Sequence, residues 1–572
     1  RFAVPYVVWM AIFVVAPILI MVVYAFSNAD GGATLDNFVQ MGGYAAVFGR
    51  SFKLAIIATA ICLLIGYPVS YFLSREGASF QKIAMVLIML PMWMSFLLRT
   101  YGWMTLLENE GFYVQQGSFY ELDTLKEASA GRLLSCFGNN AGSSYTVFNL
   151  PAAPEQDNAK GNPDYNWPDE TATLYDDPNV ENAPANPYFA PGGWQYKLGQ
   201  DEAIVLITQL PPECKYYSFI NYVMFTQQKE GKDYTNEKAF FSAGNEETGL
   251  YHPIFGSIGD SVNMVNIKHD GDSAYGSQAV IVISANQTVT EKVTAQLTAA
   301  GYDESMINVM PIPADTYNMG LQKGADTFSF LGRISQPTDQ DAYDSYTESL
   351  SANSVVYRVS PQKELDADPY ENAVLTARGT GEHEISKLKN GSQHLDEIRE
   401  AIISQYANEY DYEELSTDIA VPEGLTAYLN DRNAQGDNRD TAYVMTKDFT
   451  LNSDEDFVVV YGVNHTQTGK ALYSNAVLYA RPMLNGVCSV YDSLFPGSAA
   501  SYLEEDCDNA DDYYVYKMAR TQMDDYTAII EHSTGNEKGK FYGVDNGDTL
   551  LLAFRAYMDE NNVGASYYEI VY

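Results

Sequence analysis

Two histidines are the side chains with the clearest potential for chemistry. His383 lies in the polar run from Arg378 to Glu384, and His465 follows a strand-like segment. In both places polar neighbours could orient an imidazole as a general base, so one hypothesis is a secreted hydrolase that uses either histidine with a nearby carboxylate such as Glu384. None of the six histidines has a metalloprotease or paired metal-ligand spacing. Loop histidines are more often incidental, and no catalytic residue is assigned.

A second candidate is the loop from Gly436 to Thr441. Four successive positions carry two carboxylates, an amide and a guanidinium, namely Asp437, Asn438, Arg439 and Asp440. Such a loop could bind a cation or form part of a polar pocket. The favoured interpretation is that these side chains pin their own backbone, as Asp and Asn commonly do in turns.

Four cysteines lie outside the N-terminal apolar region, and four cysteines allow three disulfide pairings. If this part of the chain is outside the cell, one or two disulfides are expected. The candidates are Cys136, Cys214, Cys488 and Cys507. Calcium is the one cofactor left open, at aspartates that match no EF-hand loop. These are Asp506, Asp508, Asp511 and Asp512. The sequence has no P-loop, no glycine-rich dinucleotide turn and no GxSxG elbow, so no other cofactor is expected.

The N-terminal region predicts three membrane-spanning helices. Apolar runs extend from Phe2 to Phe26, from Phe52 to Leu73 and from Ile83 to Leu107. Each is long enough to cross a hydrocarbon layer of about 30 Å at about 1.5 Å per residue. Arg99 lies near the end of the third run. It either snorkels to the membrane interface, which is the favoured interpretation, or faces a transport pathway or a neighbouring helix.

Short motifs in this region carry a resemblance to a known family. They are TLDNF at 34–38, IGYP at 65–68, LPMW at 90–93 and LRTYGW at 98–103. In order and spacing, residues 1 to 112 resemble the N-terminal half of the inner-membrane permease of spermidine/putrescine ABC importers. The resemblance implies a cytoplasmic N-terminus and an extracytoplasmic loop after the third span. It also implies an ABC ATPase and a solute-binding protein as partners.

The chain departs from that family after Phe112. Such permeases continue with further spans and a coupling segment that begins Glu-Ala-Ala and contains a glycine a few residues later. The nearest string, Lys126 to Gly131, has the wrong spacing, and no later apolar run approaches 18 residues. We therefore expect a natural or engineered fusion, or an artefactual join near Phe112. Because the chain begins at Arg1 and stops after a strand-like segment, we also expect a fragment of a longer reading frame.

Beyond residue 110 the chain is strongly acidic, with a net charge of −41. This charge repels nucleic acid and anionic lipid headgroups, so nucleic acid is excluded as a partner. The same field attracts metal ions, amines or basic partners. The alternative interpretation, which is favoured, is that the acidity keeps an exposed domain soluble.

The acidic part predicts a large α+β body with mixed strands. The clearest strands are Ala203–Gln209, Tyr217–Thr226 and Ala279–Ser284, followed by an amphipathic helix over about 288–300. A pseudo-repeat aligns residues 196–205 with 449–458 and predicts a tight acidic turn between two strands in each half. Chance recurrence of a common motif is the alternative to an internal duplication.

We therefore predict a protein with three N-terminal transmembrane helices and an α+β body. The predicted divisions are a transmembrane segment at 1–112, a loop-rich entry at 113–194, an α/β-type unit at 195–360, a helical connector at 361–420 and a strand-rich unit at 421–572. The predicted location is the inner membrane, with 113–572 extracytoplasmic. The predicted function is that of a polyamine permease-like membrane protein whose body has an unknown role. The alternatives are a membrane-anchored ligand-binding or surface domain, and a chimera whose soluble part is an unrelated secreted protein.

Overall fold

The structure is a computed structural model in which the chain forms two units, Arg1–Ser95 and Phe96–Tyr572. It describes residues 75, 96–124, 136, 138–140, 142–154, 194–234, 243–245, 249–322, 324–372, 374–419, 421–482, 484–533 and 543–571. The account below therefore concerns the second unit.

The predicted fold with three membrane-spanning helices is wrong for this structure. Where the structure describes the chain, no helix has both the length and the apolar character needed to cross a bilayer. The runs at 2–26 and 52–73 lie outside the described residues. In the third run, helix α1 (Phe96–Asn109) has 14 residues. At about 1.5 Å per residue it extends about 21 Å, which is shorter than the hydrocarbon layer of about 30 Å.

Helix α1 packs instead against the body. Trp103 and Leu107, one helical turn apart, are fully buried among Val289, Val293 and Leu297. The Trp103 ring meets the Tyr357 ring edge-on, with 5.0 Å between the ring centroids. One face of this apolar helix therefore contributes to the core of the second unit.

The described residues contain four further helices and 22 strands, so strands dominate. The helices are α2 (Gln287–Ala299), α3 (Gln340–Asn353), α4 (Gln393–Tyr406) and α5 (Gly424–Leu429). The first strands are β1 (Phe112–Gln116), β2 (Ser118–Leu122), β3 (Ser143–Asn149), β4 (Gln195–Tyr196), β5 (Ala203–Gln209), β6 (Cys214–Gln227), β7 (Ala243–Asn245), β8 (Gly249–Ser257), β9 (Val262–Asn263), β10 (Gln278–Ser284), β11 (Ile307–Pro311), β12 (Thr327–Pro337) and β13 (Val355–Pro361). The later strands are β14 (Thr417–Ile419), β15 (Ala442–Thr446), β16 (Phe449–Thr450), β17 (Phe457–Val463), β18 (Ser474–Ala480), β19 (Asn485–Tyr491), β20 (Tyr513–Ala519), β21 (Thr527–Ile529) and β22 (Thr549–Ala556).

Two sheets form the first half. A five-stranded sheet has the order β1-β13-β5-β10-β11, and an eight-stranded sheet follows β2-β3-β12-β6-β8-β7, with β4 and β9 at its sides. Strand β5 is apolar from Ala203 to Ile207, and both of its faces are buried. Ile204 and Leu206 face the core shared with the eight-stranded sheet, while Val205 and Ile207 face α1 and α2.

The second half repeats this arrangement with different strands. A six-stranded sheet has the order β14-β15-β22-β18-β19, with β16 beside β22, and a three-stranded sheet has the order β17-β20-β21. In the first half the short β4 pairs with β12 of the eight-stranded sheet, and the next strand, β5, belongs to the five-stranded sheet. In the second half the short β16 pairs with β22 of the six-stranded sheet, and the next strand, β17, belongs to the three-stranded sheet. The aligned segments 196–205 and 449–458 thus occupy matching places in the two sheet pairs.

A buried ion pair joins the acidic turn before β5 to β13. Arg358 Nη1 lies 2.6 Å from Glu202 Oε2, and both side chains are almost completely buried. Glu202 also accepts hydrogen bonds from the Gly199 N–H at 2.8 Å and from the Ser360 hydroxyl. The remaining guanidinium N–H groups donate to the carbonyls of Pro151 and Lys197. Every charge in this pair is therefore satisfied internally.

Candidate functional site

The structure brings two of the sequence-predicted residues together. His465 Nδ1 lies 2.9 Å from Glu384 Oε1, and the fully buried Glu384 also accepts hydrogen bonds from the Thr468 hydroxyl and the Val571 N–H. Burial raises the pKa of Glu384, but the charge and hydrogen bond of His465 together with the other donors outweigh it, so the pKa lies below its usual value. These contacts join three segments of the chain.

The other two isolated candidates are His383 and Arg99. His383 is exposed at the start of the short 3-10 turn Glu384–Ser386 and makes no capping hydrogen bond through its side chain. Arg99 lies in α1, and its side chain is outside the described residues. The structure thus assembles His465 with Glu384 alone.

The loop at 436–441 lies buried between the two halves. Asp437 accepts hydrogen bonds from the Ser257 N–H at 2.7 Å, the Ser257 hydroxyl at 2.6 Å and the Gly424 N–H at 2.9 Å. Asp440 accepts from the Tyr216 hydroxyl at 2.7 Å, and Asn438 donates to the same hydroxyl. All of these partners belong to the protein, so the carboxylates tie β6 and β8 to the loop.

Arg439 completes this junction with two carboxylates. Its Nε and Nη1 atoms lie 2.5 Å from Asp260 and Glu423 respectively, and its Nη2 donates to the Thr376 carbonyl. Arg378 shares Glu423 and donates to the Asn438 carbonyl. The two arginines therefore neutralise Asp260 and Glu423 beside the loop.

Asp437 gives a pH-dependent prediction. Burial raises its pKa from 3.8 to about 6, against the opposing effect of its hydrogen bonds. A raised pKa stabilises the fold at low pH, and this stabilisation is lost as pH rises through about 6. We expect the free energy of unfolding of the wild type, relative to Asp437→Asn, to fall by about 2 kcal/mol between pH 4 and pH 6.5. Urea unfolding at a series of pH values measures this, and parallel curves for the two proteins would contradict it.

The four candidate cysteines are all free thiols in this structure. Burial raises the pKa of Cys136, Cys214 and Cys488 to about 12. Cys507 is partly exposed, with its Sγ 3.8 Å from His394 Nε2.

The aspartates near Cys507 have partners within the protein. Asp508 pairs with Lys389, and Asp511 accepts a hydrogen bond from the Gly497 N–H. Over the described part of the chain, no group of three or more His, Cys, Asp or Glu side chains is arranged to hold a metal ion.

The feature best suited to bind a ligand is a cavity of about 290 Å³ between the eight-stranded and six-stranded sheets. Strand β12 contributes Leu331, Arg333 and Ser335, and β22 contributes Leu551, Ala553 and Arg555. Both sets have the spacing i, i+2, i+4, which places their side chains on one face of a strand. We call this space the intersheet cavity.

Aromatic and apolar side chains form most of the remaining wall. They include Trp194, Phe255, Tyr443, Met445, Tyr479 and Leu484. Tyr145 is close enough to Arg333 and Arg555 to interact with both charges, and burial raises the pKa of its hydroxyl, so it stays neutral at physiological pH. The thiol of Cys136 also lines the cavity and is likewise protonated. Among the described lining residues there is no histidine and no carboxylate.

Arg333 and Arg555, two of the arginines that line the cavity, were not predicted as site residues from the sequence. Arg333 and Arg555 are the only charged residues in β12 and β22, two long and otherwise largely buried strands. A single basic residue within a buried strand was the signal available, because a charge in that position needs a partner. The clusters of charged residues that stand out in the sequence lie in loops instead.

Three curated relatives match a part of this chain. The PotB permease protein of the Haemophilus influenzae spermidine/putrescine transport system is 33% identical over 102 residues, which are 16% of this chain and 36% of the relative. The PotB proteins of Salmonella typhimurium and Escherichia coli are each 31% identical over 112 residues, 18% of this chain and 39% and 41% of the relatives. The chain thus spans about two fifths of the length of these proteins.

These matches confirm that one segment of the chain resembles a polyamine permease. No family model matches the chain. Two solved structures align over more of it. The VPA0106 protein of Vibrio parahaemolyticus covers 66% of this chain and 88% of its own at 10% identity, with a TM-score of 0.28. An uncharacterized protein of Burkholderia cenocepacia covers 69% and 79% at 11% identity, with a TM-score of 0.26. These TM-scores are too low to indicate a common fold.

Proposed function

We propose that the second unit is a binding module that holds a small organic molecule in the intersheet cavity. The observation that carries this proposal is a cavity of about 290 Å³ with apolar and aromatic walls and a few convergent polar groups. Protein interiors are otherwise close-packed, and a space of this size costs dispersion contacts unless something occupies it. Its dimensions suit a molecule of roughly 10 to 20 heavy atoms.

Binding to a pair of aromatic probes tests this proposal. We expect 1-naphthoate and its neutral carboxamide, 1-naphthamide, to give saturable binding to the full chain in ligand-observed NMR. Ala553→Phe fills the cavity from β22, and Leu331→Trp fills it from β12. Each should weaken binding of both probes at least tenfold, because the added ring occupies the space that the probe needs.

The matched control is Val374→Phe, which adds the same ring at a residue that is 97% exposed. This variant should bind both probes as the wild type does. Circular dichroism establishes that the filled variants are folded. The proposal fails if neither probe binds, or if the two filled variants, folded, bind both probes unchanged.

A second candidate function follows from residues 1–112, which resemble a polyamine permease and are called the PotB-like segment below. We propose that this segment associates the chain with a polyamine import complex at the inner membrane, with an ATPase and a solute-binding protein as partners. The similarity of about one hundred residues to PotB proteins supports it. We expect both partners to co-purify with the full chain and to be lost when residues 1–95 are deleted. Equal recovery with and without these residues would count against it.

A further inference from the structure

We propose that the ligand of the intersheet cavity is an anion, with a carboxylate or similar oxyanion bound between Arg333 and Arg555 and an apolar or aromatic body against the walls. This inference rests on the proposed function, since it names the class of molecule that the cavity takes.

The first argument is that both guanidinium groups are incompletely paired. Arg555 Nη2 donates to the Tyr479 hydroxyl at 2.6 Å and the Gly138 carbonyl at 3.2 Å, and Arg333 Nη2 donates to the Gly436 carbonyl at 2.7 Å. The Nη1 atom of each arginine is buried and has no hydrogen-bond partner in the described residues. Arg555 as a whole is 8% exposed. Each arginine therefore has a buried donor that no described protein group satisfies.

The second argument is the absence of a protein counter-ion. A guanidinium stays charged at all physiological pH values, and a buried charge is unfavourable unless it is paired. Neither arginine forms an ion pair with a described residue, whereas Glu202–Arg358 and Arg439 with its two carboxylates show how this chain pairs other buried arginines. Among the described residues that line the cavity there is no Asp or Glu. A positive cavity is thus kept within a chain of net charge −40.

The third argument concerns what surrounds the charges. The Arg555 guanidinium lies 5.5 Å from the ring centroids of Tyr443 and Tyr479, and that of Arg333 lies 5.6 Å from the Tyr222 centroid. Cation–π attraction to these rings stabilises each guanidinium without neutralising its charge. Leu331 and Leu551 lie on the same strand faces as the two arginines. The site therefore has positive charge next to apolar surface.

Comparison of the two probes tests the charge preference. 1-Naphthoate and 1-naphthamide have nearly the same shape and differ in net charge. We expect naphthoate to bind the full chain at least tenfold more tightly than naphthamide. Arg555→Met and Arg333→Met should each weaken naphthoate binding at least fivefold and change naphthamide binding less than twofold. Arg555→Lys, which keeps the charge, should recover part of the naphthoate affinity.

Arg399→Met is the matched control. Arg399 is not among the residues that line the cavity, and it is paired with Glu414 at 2.6 Å. Its replacement should change naphthoate binding less than threefold. The inference is overturned if naphthamide binds as tightly as naphthoate, or if folded Arg555→Met and Arg333→Met bind naphthoate as the wild type does. In either case, loss of both probes in Ala553→Phe and Leu331→Trp would leave the proposed function standing. Failure of the cavity-filling variants to affect either probe would remove both.

Discussion

Arg358→Met is expected to lower the free energy of unfolding by about 3–5 kcal/mol. The substitution keeps most of the side-chain volume and removes the positive charge, so the carboxylate of Glu202 is left in a buried site without its counter-ion. Glu202 would retain the Gly199 N–H and the Ser360 hydroxyl as donors. Two neutral donors provide only part of the stabilisation that the ion pair gives to this buried carboxylate. Urea unfolding of the full chain, followed by tryptophan fluorescence, measures the change.

Two further variants show that burial is the cause. Glu202→Met combined with Arg358→Met removes both charges, and we expect this double variant to be more stable than Arg358→Met alone. Arg399→Met breaks an ion pair of similar geometry, in which Arg399 contacts Glu414 at 2.6 Å while both side chains are largely exposed. We expect it to cost less than about 1 kcal/mol. Equal losses for Arg358→Met and Arg399→Met would contradict the account.

This pair also shows which part of the fold could be predicted. The sequence predicted a tight acidic turn before the strand Ala203–Gln209, and β5 has those bounds. Local patterns suffice for this, because an apolar run between turn residues is typical of a buried strand. The partner of Glu202 lies 156 residues away, and no local pattern indicates it. The same holds for Arg333 and Arg555, which line one cavity from two different sheets.

The prediction of a third membrane span was wrong for a different reason. An apolar run of this length is compatible with a membrane span or with a helix that packs in a large core, and length with hydropathy does not separate the two. Burial in α1 is one-sided, since Trp103 is fully buried while Tyr101 is 59% exposed. A helix surrounded by lipid has no comparable reason to bury one face against a sheet. The decision between the two environments therefore depends on tertiary contacts.

Trp103→Ala distinguishes those environments by experiment. We expect it to destabilise the second unit by about 3–5 kcal/mol, because it removes a fully buried indole and leaves a cavity next to Tyr357. Tyr101→Ala removes an exposed ring from the same helix and should cost less than about 1 kcal/mol. The measurement is the free energy of unfolding of the second unit in the full chain, reported by far-UV circular dichroism, which is dominated there by strands.

If α1 lay in a membrane instead, Trp103→Ala would leave the unfolding of the strand-rich body unchanged and would affect membrane association. A loss of stability confined to Trp103→Ala therefore places the helix in the core. That result would also move the boundary between the two parts of the chain from near Phe112 to before Phe96, where the second compact unit begins. The PotB-like segment and the body would then share residues 96–112, because the LRTYGW motif at 98–103 that carries the resemblance would also supply Trp103 to the core.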